Sequence, residues 1–278
     1  MIDRGWHAAR VQVHPYFDGP YPRAYAHRGW HIDELVGCEN TLAAFRRAVE
    51  EGFSYLELDV HASADGVPMV HHDRTLDRTT DGRGALARLP AAEIERARVR
   101  GRERIPRLEQ VLTELPDTHI TIELKSDAVV FPTLAVLERT DAWDRVCLGA
   151  YNERWLRRAR AGGGDRLLTS MAQTSAFGLR SRAWLEALPG PLGALSGLPM
   201  LPAVHGGLAQ LPHRFGALRV VDSDLLRVAH DSAREVHVWT VNDPAEMGGL
   251  LDLGADGLIS DRPDLLRGLL HDRGEWAA

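Results

Sequence analysis

Along the chain, short apolar runs alternate with stretches in which apolar side chains recur every three to four positions. With short connections between them, these patterns predict strands and helices in turn, and hence a parallel sheet wound with helices. Strands are expected at 23–26, 55–61, 119–124, 146–150, 167–171, 200–205, 236–241 and 257–259, with 67–71 as a further strand or an extension of the second. A helix is expected at 40–51, where Leu42, Phe45, Ala48 and Val49 share a face, Asn40 or Thr41 caps the start and Gly52 supplies the stop. Residues 106–115 read as another, and Asp243-Pro244-Ala245-Glu246 opens a third with a capping Asp, a first-turn Pro and a Glu three positions on.

The strand count approaches the eight that close a barrel, and 278 residues suit one α/β barrel domain better than two small ones. The expected fold is a single (β/α)8 TIM barrel over residues 23–278. Residues 1–22, with Pro15, Pro20 and Pro22, are expected as an N-terminal extension outside the barrel core. Between 162 and 212 the chain is rich in Gly, Pro, Ala and Leu, and the pattern does not fix element boundaries there.

Composition narrows the class. With 44% hydrophobic and 26% charged residues, the chain can bury a large core, and a formal charge of -6 argues against a polyanionic nucleic-acid partner. Cys38 and Cys147 show no paired spacing, so neither a zinc site nor a redox pair is indicated. The first ten residues lack the apolar core of a secretory signal, and no apolar run approaches the ~20 residues that span a bilayer. A cytoplasmic protein without stable membrane insertion is expected.

Candidate chemistry lies at strand ends. In Tyr55-Leu56-Glu57-Leu58-Asp59-Val60 the two-residue period sends Glu57 and Asp59 to one face and Leu56, Leu58 and Val60 to the other. Helices cover the outside of a barrel, so the acids must face its mouth. Ile120-Thr121-Ile122-Glu123-Leu124-Lys125 repeats the arrangement with Glu123 and Lys125. A pair of acids can be a structural ion pair in the barrel centre, but two strands with inward acids are harder to explain that way. Clustered carboxylates repel unless a cation neutralises them, and an all-oxygen set suits Mg2+ or Ca2+ better than zinc. Lys125 then either holds a phosphate or balances the acids. His27-Arg28-Gly29 ends the first strand at the catalytic rim, and His71-His72-Asp73 ends another run. Two histidines flanking a metal can serve as acid and base for phosphoryl chemistry. Strand parity does not choose between His71 and His72.

These motifs resemble the glycerophosphodiester phosphodiesterase family, particularly its compact bacterial members. The resemblance rests on Ala26-His27-Arg28-Gly29, Glu39-Asn40-Thr41-Leu42-Ala43-Ala44-Phe45, Leu56-Glu57-Leu58-Asp59-Val60, Gly66 to Val70 and the run from His72 to Thr80. Ile105-Pro106-Arg107-Leu108-Glu109, Ile122-Glu123-Leu124-Lys125, Val238-Trp239-Thr240-Val241-Asn242 and Gly254-Ala255-Asp256-Gly257 follow in the family's order. The resemblance implies one divalent cation, Mg2+ or Ca2+ with Mn2+ as a further option, on Glu57, Asp59 and Glu123. It implies His27 and His72 as general acid and base, which selects His72 over His71. Arg28 and Lys125 match phosphate-contacting positions, Trp239 an aromatic at the pocket wall, and Glu39 a residue organising the rim. For Asn40, helix capping is the expected role, and Asp256 is expected to close the last strand structurally.

The implied reaction is hydrolysis of a small-molecule glycerophosphodiester to glycerol 3-phosphate and an alcohol. The substrate's own hydroxyl would attack phosphorus to give a cyclic phosphate, which water then opens. A monomer or a homodimer is expected, and the sequence does not choose between them. Two alternatives stand beside this reading: a phospholipase-type barrel acting on lysophospholipids or phosphoinositides, and a non-catalytic phosphate-binding barrel. The first is disfavoured by the Lys125 and Trp239 motifs and by the lack of an export signal or a membrane-facing apolar loop. The second predicts loss of at least one of His27, His72, Glu57, Asp59 and Glu123, and all five are present.

Overall fold

A computed structural model describes residues 14–188 and 202–277. Eight parallel strands form the barrel: β1 (Arg23–His27), β2 (Tyr55–Ala62), β4 (His119–Leu124), β5 (Val146–Gly149), β6 (Leu168–Thr169), β7 (Leu208–Pro212), β8 (Glu235–Trp239) and β9 (Gly257–Ser260). Their order around the sheet is β6-β5-β4-β2-β1-β9-β8-β7. A parallel bridge between Ser170 and Leu208 joins the two ends, with Met171 N–H donating to Leu208 O and Gly207 N–H to Thr169 O at 2.9 Å each, so the barrel closes. The ninth strand, β3 (Pro68–Val70), is an antiparallel extension on the end of β2, with Val60 opposite Val70 and Ala62 opposite Pro68.

Helices cover the outside: α1 (Leu42–Glu50), α2 (Leu108–Glu114), α3 (Val130–Thr140), α4 (Glu153–Gly163), α5 (Gln173–Glu186), α6 (Ser223–Asp231), α7 (Pro244–Leu253) and α8 (Pro263–Asp272). The period of β2 sets the layers. Leu56, Leu58 and Val60 are fully buried in the main core with helix residues such as Phe45, Leu108 and Leu266, each worth about 1.5–3 kcal/mol of transfer free energy. Thr41, not Asn40, caps α1, its hydroxyl accepting from Ala44 N–H at 3.3 Å. Ala44, Phe45 and Ala48 form the buried face, while Val49, expected on it, is exposed. Asp243 caps α7 by accepting from Glu246 N–H at 2.9 Å, and Gly254 ends it at φ 106°. A second small core of Met69, Leu76, Leu86, Ile94, Val99 and Ile105 packs residues 69–105 against the rim.

Two expectations need correction. Residues 202–205 carry no strand, and residues 200–201 lie outside the described residues; the seventh barrel strand is instead at Leu208–Pro212, where Leu208, Ala209 and Leu211 are buried. Residues 1–13 also lie outside the described residues, but the expected extension is not wholly external. Tyr16 is fully buried in the barrel interior, its hydroxyl 2.9 Å from Tyr25 Oη and 2.8 Å from Thr121 Oγ1. With Tyr25, Tyr55 and Cys147 it fills the barrel floor. Beside it, buried Arg23 pairs with buried Glu235 at 3.0 Å and donates to the carbonyl of Phe17, pinning the N-terminal segment in place. Among the described residues, no helix is long and apolar enough to cross a membrane.

Candidate active site

The strand ends of β1, β2 and β4 bring the candidate acids together. In the ladder His27 lies opposite Glu57, and Asp59 opposite Glu123, so inward side chains of neighbouring strands stand side by side. One carboxylate oxygen from each of Glu57, Asp59 and Glu123 falls within 4.8 Å of the others. Glu57 and Asp59 are buried, and Glu57 Oε2 has no hydrogen-bond partner. Burial and the neighbouring Asp59 carboxylate push the Glu57 carboxyl up to about 8. Burial also opposes ionisation of Asp59, but Lys125 and Arg28 outweigh it and hold that carboxyl below its usual range. Three converging carboxylates with an orphaned buried oxygen and an acid that resists ionisation form an all-oxygen donor set fit for a hard divalent cation.

The cations of the site are already anchored. Lys125 Nζ lies 2.8 Å from Asp59 Oδ1 and 2.9 Å from Glu123 Oε2. Arg28 donates to Glu39 Oε1 at 3.0 Å and its Nε sits 3.3 Å from Asp59 Oδ2. Arg78 ties Glu39 to Asp73, reaching Glu39 Oε1 at 2.7 Å and Asp73 Oδ2 at 2.6 Å. Asn40 is not a cap: its Nδ2 donates to Asp59 Oδ2 at 2.8 Å, and Asp59 N–H donates back to its Oδ1 at 3.3 Å. Its φ of 58° turns the side chain inward at the foot of α1.

Each candidate histidine rests on a carboxylate. His27 Nδ1 is 2.6 Å from Asp261 Oδ1, leaving Nε2 toward the acids, 3.6 Å from Glu57 Oε2. Burial disfavours its charged form, but Glu57 and Asp261 outweigh that and raise its pKa. His72 Nδ1 is 2.6 Å from Asp73 Oδ1, and His61 Nε2 holds the His72 carbonyl at 3.0 Å. His71 points elsewhere: it is buried, with Nε2 3.2 Å from Thr75 O. The geometry explains why parity was silent, because β3 runs antiparallel on β2 and delivers the chain back to the rim, where His71 N–H bonds Asp59 O.

Asp261, Asp73 and Arg78 were missed. Asp261 directly follows β9, the same rim position relative to its strand that singled out His27, and Asn242 fixes it by accepting its N–H at 2.9 Å. Asp73 and Arg78 lie within the motif that begins at His72. Asp256 lies far from the site, fully buried, accepting from Val236 N–H at 2.7 Å where β8 and β9 begin.

These groups open on a cavity of about 460 Å³, within the range of small-molecule sites. His27, Arg28, Glu57, His72, Glu123 and Lys125 line one side, while Trp239 lines the opposite wall with Tyr151 edge-on at 6.2 Å. The arrangement can accept an anionic phosphoryl group and offers two oriented imidazoles beside it.

Comparison with known proteins points the same way. The model of the glycerophosphoryl diester phosphodiesterase family matches residues 26–169 and 199–265. The chain is 40% identical over 254 residues to a Mycobacterium tuberculosis protein named "Probable glycerophosphodiester phosphodiesterase 2", covering 91% of this chain and 92% of that one. It is 29% identical over 264 residues to the glycerophosphodiester phosphodiesterase of Caldanaerobacter subterraneus, covering 90% and 98%. The fold is similar, at a TM-score of 0.70 and 22% identity over 90% of this chain and 97% of the other, to an Oleispira antarctica phosphodiesterase solved with the product sn-glycerol-3-phosphate.

Proposed function

The chain belongs to the glycerophosphoryl diester phosphodiesterase family, and from that premise we propose that it hydrolyses glycerophosphodiesters to glycerol 3-phosphate and an alcohol through the barrel domain of residues 23–278. The observation that carries this reading is the meeting of Glu57, Asp59 and Glu123 within 4.8 Å beside two carboxylate-anchored histidines.

Glu57, Asp59 and Glu123 would hold one divalent cation, Mg2+, Ca2+ or Mn2+. When bound, it supplies Lewis-acid stabilisation of the phosphoryl oxygens and lowers the pKa of a nearby hydroxyl. Arg28 and Lys125 bind and orient the phosphate, with Glu39 and Arg78 holding Arg28 in place. His27 and His72 divide the proton transfers, one taking the proton of the substrate's own glycerol hydroxyl as it attacks phosphorus and the other protonating the departing alkoxide. Asp261 and Asp73 keep each Nδ1 engaged, so that Nε2 is the working nitrogen. The product of the first step is a cyclic phosphate, which water opens with the same two histidines in reversed roles. Trp239 forms the wall against which the substrate lies.

The tethered hydroxyl separates this mechanism from direct attack by water, because only an intramolecular nucleophile gains the effective-molarity advantage. Glycerophosphocholine and bis(p-nitrophenyl) phosphate are to be compared under saturating metal. Glycerophosphocholine is expected to turn over faster despite its poorer leaving group. Equal or faster cleavage of the aryl diester would overturn the cyclic route.

A further inference from the structure

The ends of β1, β2 and β4 carry the charged groups that meet the phosphate, whereas the segments following β6 and β7 give the same cavity an apolar wall. Phe177 and Trp184 of this wall lie on α5, and Phe215 and Leu218 on a short hairpin after β7. One charged side chain, Arg180 on α5, lines the cavity among them. It lies three residues after Phe177 and four before Trp184, so all three share the helix face that is given to the cavity. Nothing in the reaction at phosphorus uses it.

The Arg180 side chain is only 4% exposed. Its Nη1 is engaged, donating to Asp222 Oδ1 at 2.6 Å and to Val220 O at 3.2 Å, and its guanidinium carbon lies 4.9 Å from the Trp184 ring centroid. Its Nε and Nη2 are different: both are buried and neither has a hydrogen-bond partner among the described residues. These two nitrogens form one edge of the guanidinium, a fork whose parallel N–H bonds match the two oxygens of a carboxylate or phosphate. Elsewhere in the molecule the same edge is used in that way. Arg107 Nε and Nη2 lie 2.7 and 3.0 Å from the two oxygens of Glu95, and those of Arg139 lie 2.9 and 3.0 Å from the oxygens of Glu109. Those pairs are at the surface, where water can serve as well. The Arg180 fork is buried among apolar side chains, where a charged donor without an acceptor is costly and an anion is bound strongly.

Resting on the phosphodiesterase reading above, we propose that the Nε and Nη2 edge of Arg180 is a second anion site of the cavity, and that it recognises a carboxylate or a second phosphate on the alcohol that the reaction releases. The placement follows from the mechanism. The attacking and leaving oxygens stand roughly in line across phosphorus. The attacking hydroxyl belongs beside the three converging acids, so the departing alcohol extends away from them, toward the segments that follow β6 and β7. Asp222 holds Nη1 and leaves the fork to the substrate. The bonds made and broken at phosphorus are those of the reaction above: the free hydroxyl displaces the alcohol, which leaves with its proton and its anionic group, and water opens the cyclic phosphate. Arg180 acts on binding and orientation alone.

The test compares kcat/KM for glycerophosphoserine and glycerophosphoethanolamine, which differ only in the carboxylate, on metal-loaded protein. A second pair, glycerophosphoglycerol and its derivative phosphorylated on the leaving glycerol, does the same for phosphate. A preference of at least tenfold for the anionic member is expected in one pair or both, and preference in a single pair assigns the fork to that anion. In Arg180→Lys, which keeps a charge for Asp222 but has no fork, the ratio within the preferred pair is expected to fall at least fivefold. Asp222→Asn should act in the opposite direction. The Oδ1 that accepts from Arg180 and, at 2.9 Å, from Leu225 N–H is retained while the counter-charge is removed, so the ratio is expected to rise at least twofold. A purely structural Arg180 would move both members of a pair together. No preference in either pair, or a preference that Arg180→Lys leaves intact, overturns the inference but spares the phosphodiesterase reading. Should Arg180→Lys not fold, a ratio that Asp222→Asn lowers or leaves unchanged overturns it. Cleavage of none of the four compounds overturns both.

Discussion

Replacing Asp261 with Asn exchanges one carboxylate oxygen for an amide at the residue that orients His27. In the native site Asp261 Oδ1 lies 2.6 Å from His27 Nδ1 and 3.3 Å from His31 Nε2, while Asn242 donates to its Oδ2 at 3.3 Å. The carboxylate accepts from Nδ1 and so leaves Nε2 facing the acids. An amide can present its NH2 to His27 and stabilise the opposite tautomer. A hydrogen bond to a charged group contributes about 1.5–3 kcal/mol, which in a transition state corresponds to about 10- to 150-fold in rate. Asp261 is 35% exposed, so water weakens the contact and the lower part of that range applies. The expected result is a loss of about 10- to 50-fold in kcat for glycerophosphocholine, with stability changed by less than about 1 kcal/mol because the residue is partly exposed and the substitution is isosteric. Stopped assays of released choline, paired with thermal denaturation, measure both. A loss below about threefold in a folded variant would refute the role of Asp261 in holding His27.

His72→Ala is expected to lower kcat by about 100-fold or more, whereas His71→Ala, which loses a buried contact to Thr75 O, should act mainly on stability; steady-state rates and melting curves of the pair separate the two. Glu235 predicts a stability dependence on acid: burial opposes its ionisation, but His237 and Arg23 outweigh this and lower it from 4.5 to about 2. Its contribution is present above pH 4.5, amounts to about 3 kcal/mol and is lost as pH falls toward 2. Urea denaturation of wild type and Glu235→Gln should differ by roughly that amount at pH 7 and converge as the pH approaches about 2, and a gap that stays constant with pH would contradict the linkage.

Legibility in the sequence followed the strands. Glu57, Asp59 and Glu123 sit in regular parallel strands, where the two-residue period fixes a side chain's face, and Lys125 directly follows one of them, so their convergence could be anticipated from pattern alone. His72 could not be resolved that way because β3 turns back on β2, so periodicity says nothing of where the chain re-enters the rim. Asp261 lies just past the last strand, outside any alternating run, and its signal is positional rather than periodic. Tyr16 was hidden by its setting: an aromatic among prolines reads as an external segment, and only the closed floor, with Tyr25 and Thr121 in reach, gives its hydroxyl buried partners. The apolar wall was invisible for a related reason. Phe177 and Trp184 on α5 and Phe215 and Leu218 after β7 meet only in space, across the segment where the pattern set no boundaries.

The central claim is that a cation on three carboxylates makes this barrel a phosphodiesterase. The most direct measurement strips the protein of metal, follows release of glycerol 3-phosphate from glycerophosphocholine, and then titrates Mg2+, Ca2+ or Mn2+ back by calorimetry. No release is expected from stripped protein, with recovery on binding of one ion per chain, and neither binding nor recovery in the Glu57→Gln, Asp59→Asn, Glu123→Gln triple variant. Full turnover by the stripped protein, or unchanged ion binding by the triple variant, would contradict the central claim.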